Sequence, residues 1–130
     1  GDKNTYKNIV LRSPAFNMKD IFTNCLLKEG FEEYKKNGKA KTGHGGKIIV
    51  PYSFYEDLIE HDLYIKYKEK RKMLIIQGAL DDTALITDTY RFIANKPEFE
   101  LIEMKNVKHH MEPNEISAST EIMLKRLKIL

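Results

Sequence analysis

The chain has 130 residues, 42% of them hydrophobic and 32% charged, with a net charge of +3 and one cysteine. That composition fits one ordinary soluble domain or a piece of one, and so small a charge says little about partners. No apolar run approaches the roughly 20 residues that span a bilayer, and a lone Cys25 cannot form an internal disulfide, so a reducing, cytoplasmic setting is the default.

The start, Gly1-Asp2-Lys3-Asn4, is polar, without a secretory signal, and begins on glycine rather than methionine. A trimmed start or a piece of a longer protein is expected.

Asn8 to Ser13 carries an aliphatic run closed by Pro14, which reads as a strand. Asn17 is an N-cap candidate, with Asp20 in the first turn. Met18, Ile21, Phe22, Cys25 and Leu26 then form one apolar stripe of an amphipathic helix. Gly30 breaks it, Phe31 to Lys36 continues as a short helix, and Asn37-Gly38 ends that. Lys39 to Lys47 reads as a Lys- and Gly-rich loop, and Ile48 to Pro51 is too short to assign. Ser53-x-x-Glu56 has the form of a capping box before a helix carrying Phe54, Leu58 and Ile59.

Asp62 to Lys70 carries no clear pattern. Met73 to Gln77 reads as a buried strand. Residues from Thr83 to Thr87 are candidate caps for a helix to about Asn95, Glu98 to Met104 is a third strand, and Pro113-Asn114-Glu115 opens a last helix. That helix is acidic in its first turn and basic in its last, as the helix dipole favours.

Alternating strands and helices predict an α/β fold with a parallel sheet. The strands are expected in the spatial order Ile9–Arg12, Met73–Gln77, Phe99–Met104. Ile9, Val10 and Leu11 are too apolar for an open edge, so missing residues or a second chain should cover it.

Two segments carry candidate chemistry. Ile75-Ile76-Gln77-Gly78-Ala79-Leu80-Asp81-Asp82 places a carboxylate past the end of the central strand, and Asn106-Val107-Lys108-His109-His110 places an imidazole after the next. Ligand sites in parallel sheets gather at these carboxyl ends. A carboxylate there holds the histidine tautomer whose other nitrogen accepts a proton. Singly, Asp81-Asp82 also reads as a helix-capping turn and His109 as a surface histidine. Together they favour a catalytic pair.

These residues resemble the C-terminal half of the α/β-hydrolase family. Its acid segment is a buried strand, then glycine, two residues and the catalytic Asp, which Ile75 to Asp81 matches; this points to Asp81 rather than Asp82. The family's histidine loop is often Gly-x-Gly-His. Asn106 to His109 has its position without the glycines, and the resemblance implies His109 as the base. The separation of 28 residues is usual for the family. The resemblance implies a three-layer parallel-sheet fold across all of 1–130, with about 17–63 as a helical lid or cap insertion. No nucleophile elbow, G-x-S-x-G, occurs in the chain.

Ser13 precedes the acid and histidine in chain order, but it lacks flanking glycines and Pro14 forbids the elbow's turn, so it reads as a polar strand end. Ser53 reads as a helix cap and Cys25 as core. His44-Gly45-Gly46 resembles an esterase oxyanion loop but lies in the wrong part of the chain order. The lysines at 35, 36, 39, 41 and 47 lack interleaved aromatics, so no nucleic-acid partner is expected. His109, His110 and Glu112 lack a second ligand cluster, so no metal is expected.

The resemblance thus implies part of a serine hydrolase acting on an ester, thioester or amide of a small acyl substrate, with Asp81 and His109 as triad members and no diffusible cofactor. The chain alone is expected to be inactive. The alternative is a non-enzymatic α/β binding or interaction domain.

Overall fold

The structure is a computed structural model that describes residues 8–128. These form two compact units, one of them Ala15–Lys68 and the other made of the described residues on either side.

The second of these contains a three-stranded parallel sheet of order β1 (Val10–Arg12), β4 (Met73–Gly78), β5 (Phe99–Met104). This is the expected order. β4 lies in the centre because it alone is apolar on both faces; Leu74, Ile75 and Ile76 are all buried. β5 is more open, with Phe99 buried and Glu100 and Glu103 exposed. Helix α5 (Ile86–Ile93) packs Phe92 edge-on against Phe99, ring centroids 5.5 Å apart. Helix α6 (Pro113–Arg126) reaches both flanking strands, through Ser119 to Arg12 and through Arg126 to Glu100. Its start is a capping box in which Glu112 and Glu115 each bond the other's backbone amide. The sequence reading placed the helix start correctly but overlooked this box. Among the described residues no strand pairs with the outer edge of β1.

The Ala15–Lys68 unit departs most from expectation. Residues read as a loop and an unassigned run form an antiparallel hairpin, β2 (Lys39–Thr42) and β3 (Ile48–Pro51). Its inward side is Ala40 and Val50, packed with Phe22, Leu27 and Tyr34. Five lysines in the area masked a period-2 pattern of only two turns. Helix α1 (Met18–Ile21) passes into a π-helical stretch, Phe22–Leu26. A π turn takes in an extra residue and rotates the stripe. Cys25 is therefore exposed, not core as its spacing suggested.

Three expected caps fail. Asn17 donates its side chain to Asp20 at 2.6 Å rather than capping a backbone amide. Ser53 lies inside α3 (Tyr52–Glu60), which begins after Pro51 with no side-chain cap. Neither Thr83 nor Thr87 caps α5, which follows Leu85. The short α2 (Phe31–Asn37) does end at Gly38, whose φ of +70° is the left-handed conformation glycine adopts freely. Within the unassigned run, α4 (Leu63–Lys66) starts where Asp62 accepts the Tyr64 amide at 2.9 Å.

Candidate active site

The carboxyl ends of β4 and β5 carry the candidate acid and base. Beyond β4, the Gly78 carbonyl accepts the Asp81 amide at 3.2 Å, closing a tight turn. That turn folds the Asp81 side chain under the strand end, where it is fully buried. Its Oδ1 accepts the amides of Thr83 at 3.0 Å and Ala84 at 2.8 Å. Oδ2 faces Nδ1 of His109 at 3.0 Å. A buried carboxylate without such donors would be costly. Here both oxygens are occupied.

His109 is brought to that point by the loop after β5. Asn106 takes a φ of +59°, a conformation asparagine tolerates better than most residues, and reverses the chain. Val107 then passes over the end of β4, where its carbonyl accepts the Leu80 amide at 3.0 Å. The Ala79 amide donates to Met104 at 2.9 Å. Gly78 is what permits the crossing. A Cβ there would lie 2.2 Å from the Val107 carbonyl oxygen. The glycine of the acid segment thus has a steric cause: it lets the histidine loop lie against the acid loop.

An ionised carboxylate only accepts, so Nδ1 of His109 carries the proton shared with Asp81. Nε2 is then the nitrogen left to exchange a proton. His109 is about a quarter exposed and lines an open cleft of about 570 Å³ together with Arg12, Ser13, His110, Met111 and Ile116.

Comparison with solved structures gives several neighbours, two of which are named here. Est1E from Butyrivibrio proteoclasticus superposes with a TM-score of 0.68 at 16% identity over 94% of this chain and 50% of its own. Alpha/beta hydrolase domain-containing protein 10 from mouse superposes with a TM-score of 0.63 at 18% identity over 92% of this chain and 53% of its own. The chain has, in part, the α/β-hydrolase fold. It spans about half the length of each of these two chains. No protein-family profile matches its sequence. No curated protein sequence matches it either.

Within this hydrolase fold the other candidates fall apart from the pair. Asp82 is exposed, and the carboxylate that meets His109 is that of Asp81. His110 is exposed, its ring edge-on to that of His109 at 5.4 Å. Ser117 is exposed and bonds the Pro113 carbonyl, while Ser119 is buried beside Arg12. Gly45 and Gly46 turn the β2–β3 hairpin and belong to the other unit, as does Cys25.

Sequence reading missed Gln77. It is fully buried in β4, donates Nε2 to the Ala84 carbonyl at 2.5 Å and accepts the Thr89 hydroxyl at 2.6 Å. Its Nε2 also faces Oδ2 of Asp81 at 3.4 Å. It therefore ties the acid turn to β4 and α5. The available signal was a glutamine inside an otherwise aliphatic run, since buried polar groups seek partners.

Proposed function

We propose that this chain supplies the acid and histidine of a serine hydrolase's triad, cleaving an ester, thioester or amide by acyl transfer to water. The observation that carries the reading is the 3.0 Å contact between a fully buried Asp81 and Nδ1 of His109 at the ends of neighbouring parallel strands. In this reading Asp81 fixes the tautomer and stabilises the imidazolium. His109 Nε2 takes the proton of an attacking serine and returns it to the leaving group. The serine and the oxyanion donors come from the remaining part of the fold, which would also pair with the outer edge of β1. No step calls for a diffusible cofactor. The Ala15–Lys68 unit occupies the chain position of a lid or cap.

The test is hydrolysis of p-nitrophenyl butyrate, by the chain in its full-length natural context and by the chain alone. The full-length protein should be active, and His109→Ala and Asp81→Asn should each lower kcat by about 10⁴. Asp82→Asn should be far milder. The 130 residues alone should show no more than the rate of a surface histidine. An active full-length protein indifferent to His109→Ala sinks the reading.

A further inference from the structure

Among the described residues, the cleft beside His109 contains a cation without a counter-charge. None of its six lining residues is acidic, and the Asp81 side chain is wholly buried. Arg12, at the end of β1, is exposed. Its one partner among the described residues is neutral: Nη1 donates to the Ser119 hydroxyl at 3.3 Å. Ser119 is itself fixed, donating to the Ile116 carbonyl at 2.8 Å. The guanidinium is thereby anchored from one side while most of its five N–H donors have no partner among the described residues.

The next residue adds a second observation. Ser13 has a φ of +47°, the left-handed region that serine rarely enters. Its amide is held by the Ile76 carbonyl at 3.0 Å, and its buried Oγ has no hydrogen-bond partner among the described residues. Buried hydroxyls are normally satisfied, and unsatisfied ones in strained backbone gather at binding sites. Attack by Ser13 is disfavoured, because Pro14 offers no N–H to hold an oxyanion. Met111 and Ile116 give the same cleft an apolar wall.

We propose that this cleft is an anion subsite, and that the substrate's acyl part carries a carboxylate, as in the monoester of a short dicarboxylic acid. This rests on the hydrolase reading above. The Arg12 fork grips the carboxylate, and Met111 and Ile116 pack the methylenes between the carboxylate and the ester beside His109. Arginine suits the task because its planar fork matches a carboxylate's two oxygens.

The probe is monomethyl succinate, titrated into the full-length protein carrying His109→Ala, which cannot turn it over, and followed by backbone amide NMR, with neutral dimethyl succinate as comparison. The monoester should shift residues 12, 13, 109 and 110 saturably and bind at least about tenfold tighter than the diester. Arg12→Gln should weaken the monoester about tenfold or more, as loss of a charge-assisted pair implies. Equal binding of the two esters, or unchanged binding by Arg12→Gln, overturns the subsite. The ester comparison needs no change at Arg12, so it decides the matter even if Arg12→Gln fails to fold. Turnover is not involved. Arg12-dependent binding in a protein whose hydrolysis ignores His109→Ala would therefore defeat the hydrolase reading alone. Arg12-independent binding beside a working triad would defeat the subsite alone.

Discussion

Gly78→Ala should be strongly destabilising, for a reason that is purely steric. The added Cβ would sit 2.2 Å from the Val107 carbonyl oxygen, 2.6 Å from its carbon and 3.1 Å from the Lys108 carbonyl oxygen. All three are backbone atoms, so no side chain can swing aside. Restoring ordinary contact moves the loop by more than about 1 Å, and forced insertion of this kind costs about 1–3 kcal/mol. The same movement breaks the hydrogen bond from the Leu80 amide to Val107, worth about 1 kcal/mol more.

An opposing contribution fixes the sign of the test. Gly78 does not have positive φ, so alanine there suffers no backbone strain and gains about 0.4–1 kcal/mol by restricting the unfolded chain. The net expectation is a loss of about 2 kcal/mol, read as a lower urea midpoint by circular dichroism. Hydrogen exchange should show the Leu80 amide deprotected. An unchanged or raised midpoint with Leu80 still protected would refute the steric argument.

Gln77→Leu keeps volume but leaves the Thr89 hydroxyl and Ala84 carbonyl unpaired, so it should cost about 2 kcal/mol. Adding Thr89→Val should recover part of that loss; strict additivity in the urea midpoints would disprove the network. Tyr34 donates its hydroxyl to the Pro51 carbonyl at 2.6 Å, and burial holds its phenol above the usual 10.0. The unfolded tyrosine ionises near that usual value and the folded one resists, so this contribution is complete below it and is lost as pH rises beyond. Tyr34→Phe should lose about 1 kcal/mol at neutral pH and show a flatter alkaline decline in midpoint than the parent. Parallel alkaline limbs would count against this assignment.

What the sequence revealed tracks how local each cause is. β4 was legible because a central parallel strand must be apolar on both faces, and the run from Met73 to Ile76 is. Asp81 was legible because a strand, a glycine and an acid at fixed spacing form one local turn. The β2–β3 hairpin was not, since its stability comes from packing on Phe22, Leu27 and Tyr34, outside the hairpin itself. Cys25 misled because helical spacing assumes 3.6 residues per turn, which the π stretch violates. The failed cap at Ser53 has another cause: the extended Pro51 is the residue flanking α3, which puts Ser53 inside the first turn. The role of Arg12 depends on Ser119, a residue 107 positions later, and no local pattern could have supplied it.

In the proposed triad Asp81 does two jobs, and one pair of substitutions separates them. Oδ1 holds the amides of Thr83 and Ala84, which is structural; Oδ2 meets Nδ1 of His109, which is chemical. Asparagine keeps an oxygen for the two amides but presents an NH₂ to the histidine. Nδ1 must then accept, the proton moves to Nε2, and the base is lost with the turn intact. Alanine removes both functions and leaves two amides without their acceptor, at about 1–3 kcal/mol. Asp81→Asn should therefore unfold near the parent's urea midpoint while Asp81→Ala falls well below it. Nitrogen-15 shifts of the His109 ring should report a protonated Nδ1 in the parent and a protonated Nε2 in Asp81→Asn. If the ring tautomer is the same in both proteins, Asp81 does not set it, and the triad assignment loses its acid whatever the distance between the two side chains.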